Sequence, residues 1–154
     1  MKSAALLLCL VFAVSSSAQR NGGAYFARFP FDRWAAENAK PGIHWNVELE
    51  SARLSPHQRL LSTIRIHVEG SELKSRPGGQ IIAFLRIEDA AGGRYQMAHT
   101  ASVRRLNKGD KYDRLTVTFT AFFRPGDYTV SLAVCDPKTL DHSFARRSYR
   151  VAPL

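Results

Sequence analysis

Glu48 and Glu50 alternate with apolar neighbours, as do His67 and Glu69, so each pair falls on one face of an extended strand. Spacing of two on a strand sets side chains roughly 6.5–7 Å apart, which suits two groups that share acid–base work. An exposed polar strand face calls for the same residues, and it is the commoner reason for them. Cys135 has a histidine seven residues on, His142, but no third group to orient it. No Gly-x-Ser-x-Gly nucleophile turn occurs. Gly78-Gly79 and Gly92-Gly93 are isolated doublets without the spacing or the following helix of a phosphate cradle. The five histidines, His44, His57, His67, His99 and His142, stand apart from any ligand partner at metal-site spacing. Asp110 with Asp113, and Asp136 with Asp141, are acidic loop residues that lack the ligand density of a calcium loop. The residue types therefore assign no catalytic, cofactor-binding or metal-ligating position, and the expectation is a protein that is not an enzyme.

Two groups of residues suit contact with a partner instead. Tyr25, Phe26, Phe29, Phe31 and Trp34 crowd aromatics into a short stretch, of which Phe29, Phe31 and Trp34 are expected partner contacts. Arg104, Arg105, Lys108, Lys111 and Arg114 form a basic loop over 104–114, and Arg146, Arg147 and Arg150 follow near the end. The formal net charge of +9 favours anionic surfaces. Stacking residues are sparse among these cations apart from Tyr112 and Tyr149, so no nucleic acid is expected.

Elements must position those residues. Lys2, the apolar run from Ala4 to Val14 and the small residues Ser15 to Ala18 read as a signal peptide over 1–18, cleaved before Gln19. Export follows, to the periplasm or outside the cell, with no transmembrane anchor after cleavage. If Cys9 leaves with the signal, Cys135 is left without an intramolecular disulfide partner and reads as a small hydrophobe. Residues 19–42 are irregular and aromatic, with Asp32 placed to cap a short helix that Lys40-Pro41-Gly42 stops. They either fold back on the domain or dock on a partner.

From Ile43 to the end, 43–154, strands come in series. The clearest is 128–134, where Tyr128, Val130, Leu132 and Val134 share one face after the Pro125-Gly126 turn. Ile81 to Leu85 is apolar on both faces, as in a central strand covered on both sides. Residues 94–103 read as a weaker strand near an edge. In the last strand Ala145, Arg147, Tyr149 and Val151 share a face, which a bulge at Arg147 would change. Seven short strands with no long helix between them predict an all-β, seven-stranded antiparallel immunoglobulin- or fibronectin-like sandwich. Tyr128, two residues after Gly126, stands where such sandwiches place a corner tyrosine.

Phe29-Pro30-Phe31-Asp32-Arg33-Trp34, the run from Arg53 to Leu61 and the run from Pro125 to Val130 resemble a group of uncharacterised exported acidobacterial proteins. Those are similar to β-sandwich segments that accompany von Willebrand factor A-related domains. The Asp-x-Ser-x-Ser metal signature of the A domain itself is absent from this chain. The resemblance implies an accessory sandwich whose partner is another envelope or secreted protein, possessing no implied cofactor or catalytic residue. The expected function is a protein interaction or assembly module. Its rival is a module for an anionic glycan or lipid surface, carried by loop 104–114 and Arg146, Arg147 and Arg150.

Overall fold

The computed structural model describes residues 17–37, 41–76, 78–102 and 114–153. Two helices come first, α1 (Ser17–Arg28) and α2 (Phe31–Ala36), followed by strands β1 (Trp45–Leu49), β2 (Arg53–Leu54) and β3 (Leu60–Glu69). One turn of helix, α3 (Gly70–Lys74), leads to β4 (Gln80–Asp89), β5 (Arg94–Ser102), β6 (Arg114–Phe123), β7 (Gly126–Cys135) and β8 (His142–Val151).

All pairings are antiparallel. In the first sheet β3 is flanked on one side by β1 and β2 and on the other by β6. The second sheet runs β5-β4-β7-β8. Among the described residues the strands number eight, one more than the sequence suggests, because the first edge strand is interrupted. Leu49 pairs with Ile64 and Arg53 with Leu61, so residues 50–52 face only 62 and 63 and the ladder bulges. The Glu50 carbonyl turns there to accept from the Ser62 hydroxyl (2.6 Å) and the Tyr149 hydroxyl (2.9 Å).

Period-2 alternation gives the first sheet one apolar face, which meets the inner face of the second. Ile64, Ile66 and Val68 of β3 and Val117 and Phe119 of β6 pack into one core with Leu85, Leu132 and Val134 of the facing sheet. β6 shows the pattern most cleanly, exposed and buried residues alternating from Arg114 to Phe123. β8 keeps an unbroken one-to-one register with β7, so no bulge re-aims Arg147. The Tyr128 hydroxyl does bond back to main chain, donating to the Arg124 carbonyl (2.9 Å) and accepting from its N–H (3.2 Å).

A second core lies on the outer face of the β5-β4-β7-β8 sheet. Ile82, Phe84, Ala133 and Cys135 project there, and α1, α2 and the link between them cover these residues, Phe29 coming from the link and Phe31 and Trp34 from α2. The Phe84 ring sits edge-on to Phe26, Phe29 and Trp34 at 5.3–5.7 Å between centroids, a favoured aromatic geometry. Asp32 does not cap α2, whose N-cap is Pro30 without a side-chain bond. Its carboxylate instead pairs with Arg86, a buried cation that also lies 4.5 Å from the centre of the Phe31 ring. The Arg86 hydrogen bond holds the Asp32 carboxyl below its ordinary value against a smaller desolvation effect.

Candidate functional site

The aromatic contact surface expected at Phe29, Phe31 and Trp34 is not a surface. These side chains are 5%, 1% and 2% exposed, consumed in covering the chain's own sheet. Arg104, Arg105, Lys108 and Lys111 lie outside the described residues. Arg114 opens β6, exposed and paired in register with Glu69. Arg146, Arg147 and Arg150 are exposed along the edge strand β8, Arg146 against the Phe144 ring and Arg150 3.7 Å from Asp127.

The residues with reactive potential are held by structural bonds. Cys135 and His142 are cross-strand partners, yet no dyad forms. The thiol points to the Asp136 carbonyl (3.4 Å), while His142 contacts Glu37 (3.2 Å) and stacks on Trp34. Burial above all, then the Asp136 and Asp141 charges, pushes the thiol up to about 12, so it stays protonated and poorly nucleophilic at neutral pH. His67 comes closer to a catalytic arrangement. Its Nδ1 is 2.9 Å from the Thr116 hydroxyl and its Nε2 3.4 Å from Glu48. All three sit on the outward face of β1, β3 and β6, where the pairing buttresses neighbouring strands. Glu50 is drawn the same way, to Arg65.

The two open sides of the sheet pair differ. Where β1 faces β8, the Ser143 hydroxyl bonds both the N–H and the carbonyl of Ile43 (2.9 and 2.6 Å), and Tyr149 reaches Glu50. Where β5 faces β6, a groove of about 410 Å³ opens between Tyr95, Thr120, Phe122, Phe123 and Tyr128. Tyr95 is the register partner of Ile87 and so faces between the sheets, yet it is 37% exposed. Desolvation by its surroundings still raises its pKa above the ordinary value. Phe122, on the outward face of β6, is 55% exposed with the Arg59 guanidinium 5.7 Å from its ring centre.

Tight turns hold this end in place. The Asp89 carboxylate accepts from the N–H groups of Ala91 (3.0 Å) and Gly93 (2.7 Å), fixing the β4–β5 hairpin. Gly92 there has φ +86°, the left-handed residue that such three-residue loops require. The Ser55 hydroxyl closes the β2–β3 loop on the Arg59 N–H (3.2 Å), setting Arg59 beside Phe122.

β6 itself is the central observation. Among the described residues its only ladder partner is β3, which leaves the N–H and C=O groups of its other side unpaired by any strand. From Leu115 to Phe123 it contains no charge, proline or glycine. The uncharged alternation is visible in the sequence, but nothing in it says that this strand lies at an edge. That is why Arg59, Tyr95 and Phe122 escape sequence reasoning.

No family model matches the chain, and no curated protein matches it. Solved structures are similar to the chain, two of them as follows. A structural-genomics target shares 16% identity over 73% of this chain and 87% of its own, with a TM-score of 0.38. A Bordetella pertussis protein provisionally named ApaA shares 13% identity over 74% of this chain and 96% of its own, with a TM-score of 0.40. Likeness at this level bears on neither fold family nor activity.

Proposed function

We propose that this chain is an exported, non-catalytic immunoglobulin-like sandwich that works as a protein interaction module, accepting an extended strand of another envelope or secreted protein along β6. Strand order supports the fold reading: β1/β2-β3-β6 lies over β5-β4-β7-β8, three strands wide against four, with a tyrosine corner between β6 and β7. The interaction reading rests on the free edge of β6. Natural sheets blunt their edges with charge, breaks or cover. β8 carries Arg146, Arg147 and Arg150, the β1/β2 edge is broken by its bulge, and β5 has α1 packed across it. Among the described residues β6 has none of these from Leu115 onward, and an open ladder is the template for strand addition.

The test is hydrogen exchange on the purified protein with an uncharged ten-residue peptide of alternating valine and threonine. Protection is expected within 114–123 and is lost in the Thr118→Lys/Thr120→Lys variant, whose changed positions are exposed. The rival reading draws on Arg146 and Arg147, exposed and without a carboxylate partner among the described residues. It predicts no protection of β6, but salt-sensitive binding to anionic vesicles or a sulfated polysaccharide.

A further inference from the structure

Resting on the β6 reading, we infer that the incoming strand is acidic on its outward positions and carries one large apolar side chain inward, over Tyr95. A strand added to β6 lies about 4.8 Å beyond it, and its side chains alternate as those of β6 do. Residues opposite Ala121 and Phe123 point between the sheets, into the groove of about 410 Å³ beside Tyr95. That volume takes an aromatic or long aliphatic side chain, and filling it covers an aromatic ring left partly in water. Residues opposite Phe122 and Arg124 point outward, where Arg59 lies over the Phe122 ring.

Charge at this end is uneven. Arg94 is neutralised by Glu88 at 2.7 Å. Asp89, the carboxylate lining the groove, is directed into its own turn by two N–H bonds. Arg59 and Arg124 remain without a carboxylate partner among the described residues, on a chain of net charge +9. Two unneutralised guanidinium groups beside one outward row favour carboxylates in the strand that fills it, by charge-assisted and often bidentate bonding. The partner is therefore a polypeptide with acidic residues two apart, separated by the inward anchor.

Two fluorescent ten-residue probes test this by anisotropy. Both alternate valine and threonine around one inward phenylalanine, and they differ in having glutamate or glutamine at the two outward positions that flank it. The glutamate probe is expected to bind at least tenfold tighter at low salt. That advantage should fall below twofold in the Arg59→Gln/Arg124→Gln variant, while the glutamine probe is unaffected by it. Both positions are exposed, and circular dichroism confirms that the variant is folded. Equal binding of the two probes overturns the acidic partner and leaves strand addition standing. Binding of neither, with no exchange protection on β6, overturns both. Displacement of the glutamate probe by a sulfated polysaccharide with no β6 protection overturns a peptide in favour of a glycan.

Discussion

Asp136 is fully buried where β7 ends. Burial alone would raise its pKa, but N–H groups of Lys138 (2.8 Å) and Thr139 (3.3 Å) and the Arg76 guanidinium (3.5 Å) more than offset this, and the net direction is downward. Arg76 also holds Glu72 at 2.7 Å and Asp141 at 3.2 Å. The acidic loop residues Asp136 and Asp141, too sparse in the sequence for a calcium loop, thus meet a guanidinium brought by the turn after α3, a residue too distant in the chain for spacing to reveal. A carboxyl whose folded pKa is depressed stabilises the fold fully above its unfolded value, here about 3.8, and loses that contribution as pH falls through the folded value. Asp32 and Glu50 are depressed as well, by hydrogen bonds from Arg86 and Arg65 respectively above all, so their contributions share that sign. Chemical denaturation between pH 7 and pH 2 should therefore show stability declining below about pH 4.5, the unfolded value for Glu50. Asp136→Asn should be less stable at pH 7 and show a flatter decline. A steeper decline in the variant would contradict the assignment.

At the scale of elements, the strands are legible because a half-buried sheet imposes a period of two that few other arrangements produce. Helix α1 is not legible, because Asn21-Gly22-Gly23 reads as a flexible link. Tertiary contact overrides that propensity. Gly22 is buried against β5, where an added Cβ would stand 3.0 Å from the Gln96 carbonyl oxygen and 3.3 Å from Met97 Cα, both backbone atoms. Gly23, one residue on, meets nothing within 4 Å. The two glycines therefore respond oppositely to the same change. Gly22→Ala should lose about 1–2 kcal/mol by forcing helix and strand apart. Gly23→Ala should gain about 0.5–1 kcal/mol from the lower conformational freedom of the unfolded chain. Thermal melts of the two single variants decide it; a shift of the same sign in both would mean that α1 does not lie on β5.

The whole molecule is a three-layer arrangement in which one sheet serves two cores. The sequence shows β4 to be apolar on both faces and, separately, an aromatic segment in need of a surface, but only the fold joins the two. Ile82 and Phe84 face the helices while Ile81, Ala83 and Leu85 face the other sheet. Losing either core leaves one face of β4 in water, at about 25 cal/mol per Å² of apolar area exposed. The helical cover and the sheet pair should consequently unfold together. The two tryptophans report on the layers separately, Trp34 in the outer core and Trp45 against the inner one. Trp34→Phe leaves Trp45 as the reporter of the sheet pair, and Trp45→Phe leaves Trp34 as the reporter of the helices. Each variant followed in urea by its remaining tryptophan and by circular dichroism should give coincident transitions, the mark of an all-or-none unit. If Trp34 fluorescence changed at clearly lower urea than the strand signal, the helices would be a detachable cover. Phe29, Phe31 and Trp34 would then be released into water before the sheets come apart, and β4 would be stable with its outer face bare.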